Sequence, residues 1–299
     1  MEQNPLDNVV VILEESDSPR RVRQLHLVLA AASIDSTIHQ VENKWILATS
    51  QLVADSARYE IDAYCVEQAE EAGRAFPIEE ANQPAWIGVF LYLLILGYVM
   101  YAQQSPAWGS VVRQSGEMQS SSFQAGEWWR CFTALTLHHD AAHLAGNLAM
   151  GGLYGWMASR RLGAGRAWLG IVSAGALGNA LSGMIRPEGH ISIGASTAVF
   201  AALGILSANA THGRYREKEP CSKRWLPLVA GGVLFAWTGT GGPETDVLSH
   251  VTGFCAGIIL GVGLSVRVIP LLSRIKHGQA VSATLALTLV IGSWLIALS

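Results

Sequence analysis

Seven apolar segments between residues 85 and 298 constrain the fold of this chain more than any other feature of its sequence. They lie at about 85–103, 138–158, 167–186, 194–211, 225–241, 247–267 and 279–298. Each is close to the ~20 residues that a helix needs to cross a bilayer. Only 14% of the residues are charged, which is low for a soluble protein. The pattern predicts an all-α polytopic membrane protein in which six helices form a core and a seventh helix follows.

Basic residues are distributed unevenly between the two sets of loops, which predicts the orientation in the membrane. With the N-terminus inside, the outer segments carry Arg113, Arg130 and Arg186. The inner loops carry Arg160, Arg161, Arg166, Arg214, Arg216, Lys218, Lys223, Arg224, Arg267, Arg274 and Lys276. Because short cytoplasmic loops are enriched in Lys and Arg, we expect the N-terminus in the cytoplasm and the C-terminus outside. The expected location is a bacterial inner membrane.

Residues 1–80 predict a small soluble α+β domain on the cytoplasmic side, ending in a linker at 75–84. The predicted elements are a strand at Val9–Leu13, a helix at Arg20–Ala32, strands at Thr37–Val41 and Lys44–Thr49, and a helix at Gln51–Ala72. No catalytic motif lies in this domain, so a regulatory or docking role for an unidentified ligand or partner is expected. The core is then expected at 84–267, with an inner loop and the extra helix at 268–299. A net charge of -3 does not suggest a nucleic-acid partner.

Ser196 follows Gly194 and Ala195 at the start of the fourth apolar segment. A glycine permits a tight turn, and the free N–H groups at a helix start can hold a developing negative charge. Ser196 is therefore a candidate nucleophile. Serine is also common in membrane helices simply because it is small.

His250 is the candidate base for Ser196, because it lies near the start of the sixth segment, which runs in the same direction as the fourth. Gly253, Gly257 and Gly261 follow at intervals of four residues and form a bare stripe that allows close helix packing. If the fourth segment packs there, His250 approaches Ser196 and can take its proton. The alternative is a structural histidine at an ordinary helix interface, but ionisable groups in membrane spans are usually functional.

The second segment supplies further polar groups in His138, His139, His143 and Asn147. His143 and Asn147 are four residues apart and share a helix face, so they can donate hydrogen bonds to an oxyanion formed at Ser196. They could instead join neighbouring helices. A sharper alternative is a zinc metalloprotease, because His139-Asp140-Ala141-Ala142-His143 differs from HExxH only in Asp for Glu. The sequence offers no convincing third ligand.

Taken together, these motifs resemble the rhomboid family of intramembrane serine proteases over about residues 84–267. The matching residues are Gly194 and Ser196, His250 with Gly253 and Gly257, His143 with Asn147, and Trp129-Arg130 in the first outer loop. The resemblance implies a six-helix core, a Ser196–His250 dyad without cofactor or metal, and transmembrane protein substrates cut near the outer leaflet. A non-catalytic, client-binding relative remains the alternative.

The resemblance also implies roles for three further residues. His138 matches a histidine with a structural or oxyanion-side role, and Phe200 matches an aromatic ring that lies against the catalytic histidine. Thr197 stands where the family usually has a second glycine. Two effects of a threonine there stay open, an altered turn or a narrower cleft, and this departure from the family puts substrate preference in doubt more than catalysis.

Overall fold

The computed structural model describes residues 10–42, 44–74, 84–240, 245–265 and 277–299. The chain divides into two compact units, Met1–Phe76 and Pro77–Ser299. Val9, Asn43, most of the expected linker and all of residues 268–276 in the expected inner loop fall outside the described residues.

The first unit has a three-stranded antiparallel sheet and two helices. Its elements are β1 (Val10–Ser16), α1 (Pro19–Ala31), β2 (Ser36–Val41), β3 (Lys44–Ser50) and α2 (Ala54–Arg74), with strand order β1-β3-β2. Pro19 occupies the first turn of α1, where its fixed φ suits a helix start and no intrahelical N–H is lost. The core consists of Val22, Leu25, Leu29, Leu47, Ala57 and Ile61. The period of the apolar residues therefore directs α1 and α2 onto the sheet.

The second unit is mostly helical and contains the candidate site. Its elements are α3 (Trp86–Gln103), α4 (Gly109–Gly116), β4 (Met118–Gln119), α5 (Ser120–Gln124), α6 (Arg130–Thr133), α7 (Ala141–Leu162), α8 (Ala164–Ile185), β5 (Ile191–Ser192), α9 (Ser196–Arg216), α10 (Cys221–Arg224), α11 (Leu226–Gly239), α12 (Val247–Gly263) and α13 (Gly278–Ala297). Among the described residues, the seven longest of these helices overlap the seven apolar segments. The short strands β4 and β5 pair with each other.

Helix α9 lies at the centre of this unit. All residues from Thr197 to Ala208 are buried, and α9 packs against α7, α8, α11 and α12. Small residues let these helices approach closely, because a Cβ added at Gly204 would lie 2.3 Å from the Phe254 backbone oxygen. Because α9 is central, its first residue, Ser196, is surrounded by the ends of the neighbouring helices.

Within the described parts of the chain, three helices are long enough and apolar enough to cross a membrane. They are Trp86–Gln103, Ala164–Ile185 and Gly278–Ala297. Val247–Gly263 is a shorter apolar helix. Several helices of this kind indicate a multi-pass integral membrane protein.

The second span does not begin at His138 as predicted, because the helix starts three residues later. Asp140 is the N-cap of α7, and its carboxylate accepts a hydrogen bond from the His143 backbone N–H at 2.8 Å. Asp140 has extended dihedrals, as an N-cap residue does, so His138 and His139 lie before the helix. The first outer loop also contains α4, α5 and α6, which the sequence reading did not predict.

Candidate active site

Ser196 is the first residue of α9, and Gly194 lies two residues before it with a φ of +138°. That backbone conformation strongly favours glycine. A Cβ at Gly194 would also lie 2.8 Å from the His143 ring, so a side chain would collide with the imidazole. As the first helical residue, Ser196 has a backbone N–H without an intrahelical acceptor. The local sequence therefore presents both the hydroxyl and an N–H donor at one point.

His250 lies in the first turn of α12 and contacts Ser196 directly. Its Nε2 is 2.8 Å from Ser196 Oγ, and its Nδ1 is 2.9 Å from the Gly239 backbone oxygen at the end of α11. A carbonyl can only accept, so Nδ1 carries the proton and Nε2 is free to accept from the serine hydroxyl. This tautomer is the one that a general base for Ser196 requires. The Phe200 ring packs against the imidazole with centroids 4.6 Å apart.

Close contact between α9 and α12 brings Ser196 and His250 together. A Cβ at Gly253 would lie 2.3 Å from the Thr197 backbone oxygen, and one at Gly257 would lie 2.1 Å from that of Ala201. Side chains at these two positions would therefore push the helices apart. The stripe of glycines described from the sequence faces α9 in the structure.

Thr197 does not narrow a cleft, because its side chain lies inside the helix bundle. It is 2% exposed, and its methyl carbon lies where side chains at Gly178 of α8 or Gly253 of α12 would have to fit. The glycines opposite it provide the space for the threonine methyl group. This placement corrects the sequence-based expectation, since Thr197 acts on helix packing rather than on the wall of an open cleft.

His143 and Asn147 lie one turn apart on α7, and both side chains carry hydrogen-bond donors. His143 lies beside Gly194, because a Cβ added at Gly194 would lie 2.8 Å from the His143 ring. Asn147 is 6% exposed, and its Nδ2 has no hydrogen-bond partner within the described parts of the chain. A buried amide without an acceptor costs free energy unless something else uses it. An anionic oxygen at Ser196 would supply such an acceptor.

His138 has a different position from His143 and approaches the site from the loop before α7. Its Nε2 accepts a hydrogen bond from the Ala195 backbone N–H at 3.4 Å, and it is 1% exposed. Gln103 holds its peptide from both sides, donating to the His138 oxygen at 3.2 Å and accepting from its N–H at 3.1 Å. This geometry favours the structural role for His138 over the oxyanion-side role.

The zinc alternative can be judged from the surroundings of His139. Its ring stacks on that of His143 with centroids 5.8 Å apart, and Arg113 Nη2 lies 3.4 Å from His139 Nδ1. A guanidinium at that nitrogen disfavours a cation there. Across the described ranges, no three His, Cys, Asp or Glu side chains form a group that could hold a metal ion.

Arg130 organises the first outer loop. It is 7% exposed and pairs with Glu127, while its Nη1 donates to the backbone oxygens of Gln114 and Glu117. A guanidinium with several donors can tie separate backbone segments together. Trp129 is half-buried beside it and packs edge-on against Trp128. Both residues therefore shape the first outer loop through contacts within that loop.

Sequence reasoning missed a polar cluster around Asp246, the N-cap of α12. Its carboxylate pairs with Arg186 and His190, and it accepts from the backbone N–H and hydroxyl of Ser249. Burial alone would raise the pKa of Asp246, but hydrogen bonds from Ser249, Ser192 and Arg186 outweigh it and lower this pKa below its usual range. An aspartate four residues before a candidate histidine could have indicated this cap.

Comparison with known proteins identifies the same region. The family model described as Rhomboid domain matches residues 125–267. The "Rhomboid protease GluP" of Bacillus subtilis (strain 168) is 25% identical over 212 residues, covering 71% of this chain and 41% of that protein. YdcA of the same organism is 28% identical over 135 residues, covering 45% of this chain and 66% of that protein. "RHOMBOID-like protein 7" of Arabidopsis thaliana is 28% identical over 156 residues, covering 52% and 45% respectively. The chain thus spans less than two thirds of the length of each of these relatives.

Proposed function

The chain is a rhomboid family protein, and on that premise we propose that it is an intramembrane serine endopeptidase. The observation that carries the proposal is the 2.8 Å contact between Ser196 Oγ and His250 Nε2, with His250 Nδ1 donating to a backbone carbonyl. A serine hydroxyl becomes a useful nucleophile only when an adjacent base takes its proton. The fixed tautomer of His250 supports that role.

In the proposed first step, Ser196 Oγ attacks a substrate carbonyl while His250 Nε2 takes the hydroxyl proton. The negative charge that forms on the carbonyl oxygen is held by the Ser196 N–H, His143 and the unpartnered amide of Asn147. Each such donor is worth on the order of 10²–10³ in rate. His250 then gives the proton to the leaving amine, and water releases the acyl group by the reverse sequence. No cofactor or metal is needed for these steps.

The proposed substrates are transmembrane segments of other proteins in the lipid bilayer, cut near the outer leaflet. Loop charges support an orientation with the first unit in the cytoplasm and the starts of α7, α9 and α12 towards the outside. Polar groups at this depth are tolerable because they face a wet cavity rather than lipid. The first unit serves as a regulatory or docking domain in this proposal.

Cleavage of a transmembrane substrate by the purified chain in detergent tests the proposal. Ser196→Ala and His250→Ala should each reduce turnover by roughly 10³-fold or more, and the double variant should be no worse, because the two groups act as a unit. His143→Ala and Asn147→Ala should give smaller, graded losses. His139→Ala should have the least effect of the substitutions in α7 and the loop before it.

Two results would contradict the proposal in different ways. Cleavage that survives Ser196→Ala but stops with a chelator or with His139→Ala would favour the zinc alternative. Binding of the transmembrane segment with no cleavage by the unmodified chain would favour the client-binding alternative.

A further inference from the structure

Helix α13 lies outside the residues that the family model matches, yet it contacts the segments that lead into the candidate site. Its Trp294 Nε1 donates to Thr136 Oγ1 at 3.1 Å. Thr136 in turn donates to the Thr133 backbone oxygen at 2.7 Å. Thr136 is two residues before His138, so this bond ties the end of α13 to the loop before α7.

The ring of Trp294 belongs to a small apolar cluster that joins both loops of the site. The cluster is built on buried Val99, Leu137 and Ile193, with Val112 and Trp294 packed against it. Leu137 directly precedes His138, and Ile193 directly precedes Gly194. Trp294 therefore packs against a cluster that contains the direct neighbours of both site segments.

Hydrogen bonds connect the same two loops to each other. The Gly194 N–H donates to the Ala134 backbone oxygen at 3.0 Å, and the Ala195 N–H donates to His138 Nε2 at 3.4 Å. A shift of the 134–138 segment would therefore be transmitted to Gly194 and Ser196. A misplacement of about 1 Å at a distance from the chemistry can cost on the order of 10²-fold in rate.

The opposite end of α13 is also bound to the bundle, where α7 ends and α8 begins. Gln279 donates to the Leu162 oxygen at 3.1 Å and accepts from the Arg166 N–H at 3.2 Å. A Cβ at Gly165 would lie 1.9 Å from the Gln279 backbone oxygen, so α13 lies directly on the start of α8. Gln279 and Trp294 thus attach α13 near its two ends.

We infer that Trp294 is a positioning residue, and that α13 is a structural part of the active site which holds the 134–138 and 191–195 loops in register. The catalytic part of this inference rests on the proposed function. The structural part, that loss of the indole loosens both loops, does not depend on the chain being a protease.

Hydrogen–deuterium exchange of the full-length protein in detergent tests the structural part. Trp294→Ala should raise exchange at 134–138 and at 191–195 together, by about tenfold or more, because both loops lose a shared packing partner. Leu295→Ala is the matched control, since Leu295 is the next residue and is 69% exposed. Unchanged exchange in both loops of Trp294→Ala would overturn the inference whether or not the chain has protease activity.

Cleavage kinetics test the catalytic part. Trp294→Ala should lower kcat about tenfold with KM little changed, because the substrate-binding surface stays while the reacting groups lose register. Trp294→Phe keeps a ring and should recover most of that loss. In Trp294→Phe with Thr136→Val, the effects should be less than additive, since each change removes the same hydrogen bond. A kcat of Trp294→Ala equal to that of Leu295→Ala would overturn this part, whereas a failure of the proposed function would show as an inactive unmodified chain.

Discussion

At Gly194 the backbone has a φ of +138°, and an added Cβ would lie 2.8 Å from the His143 ring. Gly194→Ala should therefore lower kcat by roughly 10²-fold, because the strained turn moves both Ser196 and a proposed oxyanion donor. The measurement is steady-state cleavage of a transmembrane substrate. Gly213→Ala, in helix α9 with open space at its Cβ position, is the control and should retain activity. Equal activity of the two variants would show that the turn does not position the site.

The lowered pKa of Asp246 predicts how its contribution to the stability of the fold depends on pH. A carboxylate with a lowered folded-state pKa stabilises the folded state above its unfolded pKa of about 4, and this contribution is lost as the pH falls further. Asp246→Asn should therefore lower the unfolding temperature by a few degrees at pH 7, corresponding to about 1–3 kcal/mol. The gap to the unmodified chain should stay constant down to about pH 5 and narrow below about pH 4. A gap that widens in acid would contradict this assignment.

Single residues of the site differ in how well the sequence reveals them. Ser196 and His250 could be proposed from the sequence because a serine after a glycine turn and a histidine ahead of a glycine stripe are residue-type signals. The acceptor of His250 Nδ1 is the backbone oxygen of Gly239, which any residue type would carry, so no sequence signal exists for it. Thr197 was misread because only the packed structure shows glycines opposite its methyl group.

At the scale of elements, the contact of α9 with α12 sets the distance between the two site residues. Gly257→Ala should lower both the unfolding temperature and the cleavage rate, because its Cβ would lie 2.1 Å from the Ala201 oxygen. Overpacking of this kind costs about 1–3 kcal/mol. Gly263→Ala lies on the same helix with nothing near its Cβ and should change neither quantity. If Gly257→Ala is as stable and active as Gly263→Ala, close packing of these helices does not hold the site together.

Helices and strands could be predicted from the sequence where one physical signal dominates. Long apolar runs mark the positions of the long helices, and alternating or helical periods mark the strands and helices of the first unit. The start of α7 was missed because apolar residues lie on both sides of His138, His139 and Asp140, and the N-cap role of Asp140 is visible only in the structure. Helices α4, α5 and α6 were missed because they have 8, 5 and 4 residues and depend on contacts such as those of Arg130.

At the scale of the whole molecule, the long helices alternate in direction, and this predicts the side of the membrane on which each helix end lies. The contact of Gln279 with Leu162 and that of Trp294 with Thr136 place the two ends of α13 at opposite ends of the bundle. Reporter fusions ending at Gly278 and Ser299 should therefore report opposite sides, with Ser299 outside. A fusion at Gly189, between α8 and α9, is the control and should also report the outside. Gly278 and Ser299 on the same side would exclude α13 as a spanning helix.

The role of α13 could not be predicted from the sequence, although its apolar run was evident. A tryptophan near the end of a membrane helix usually indicates an interfacial anchor. The cluster that Trp294 shares with Leu137 and Ile193 joins residues far apart in the chain, and it becomes visible only in the folded molecule. In the first unit, by contrast, the periodic patterns of the sequence indicate strands and helices, but no motif indicates which partner or ligand the unit binds.

Covalent labelling of the full-length protein with a fluorophosphonate tests most directly the central claim that His250 activates Ser196. The probe phosphonylates a serine whose hydroxyl an adjacent base activates, so mass spectrometry of the labelled chain should find the adduct on Ser196. The adduct should be absent in Ser196→Ala and reduced by roughly 10²-fold or more in His250→Ala, while Leu295→Ala should label as the unmodified chain does. Labelling that persists in Ser196→Ala, or that does not depend on His250, would contradict the account.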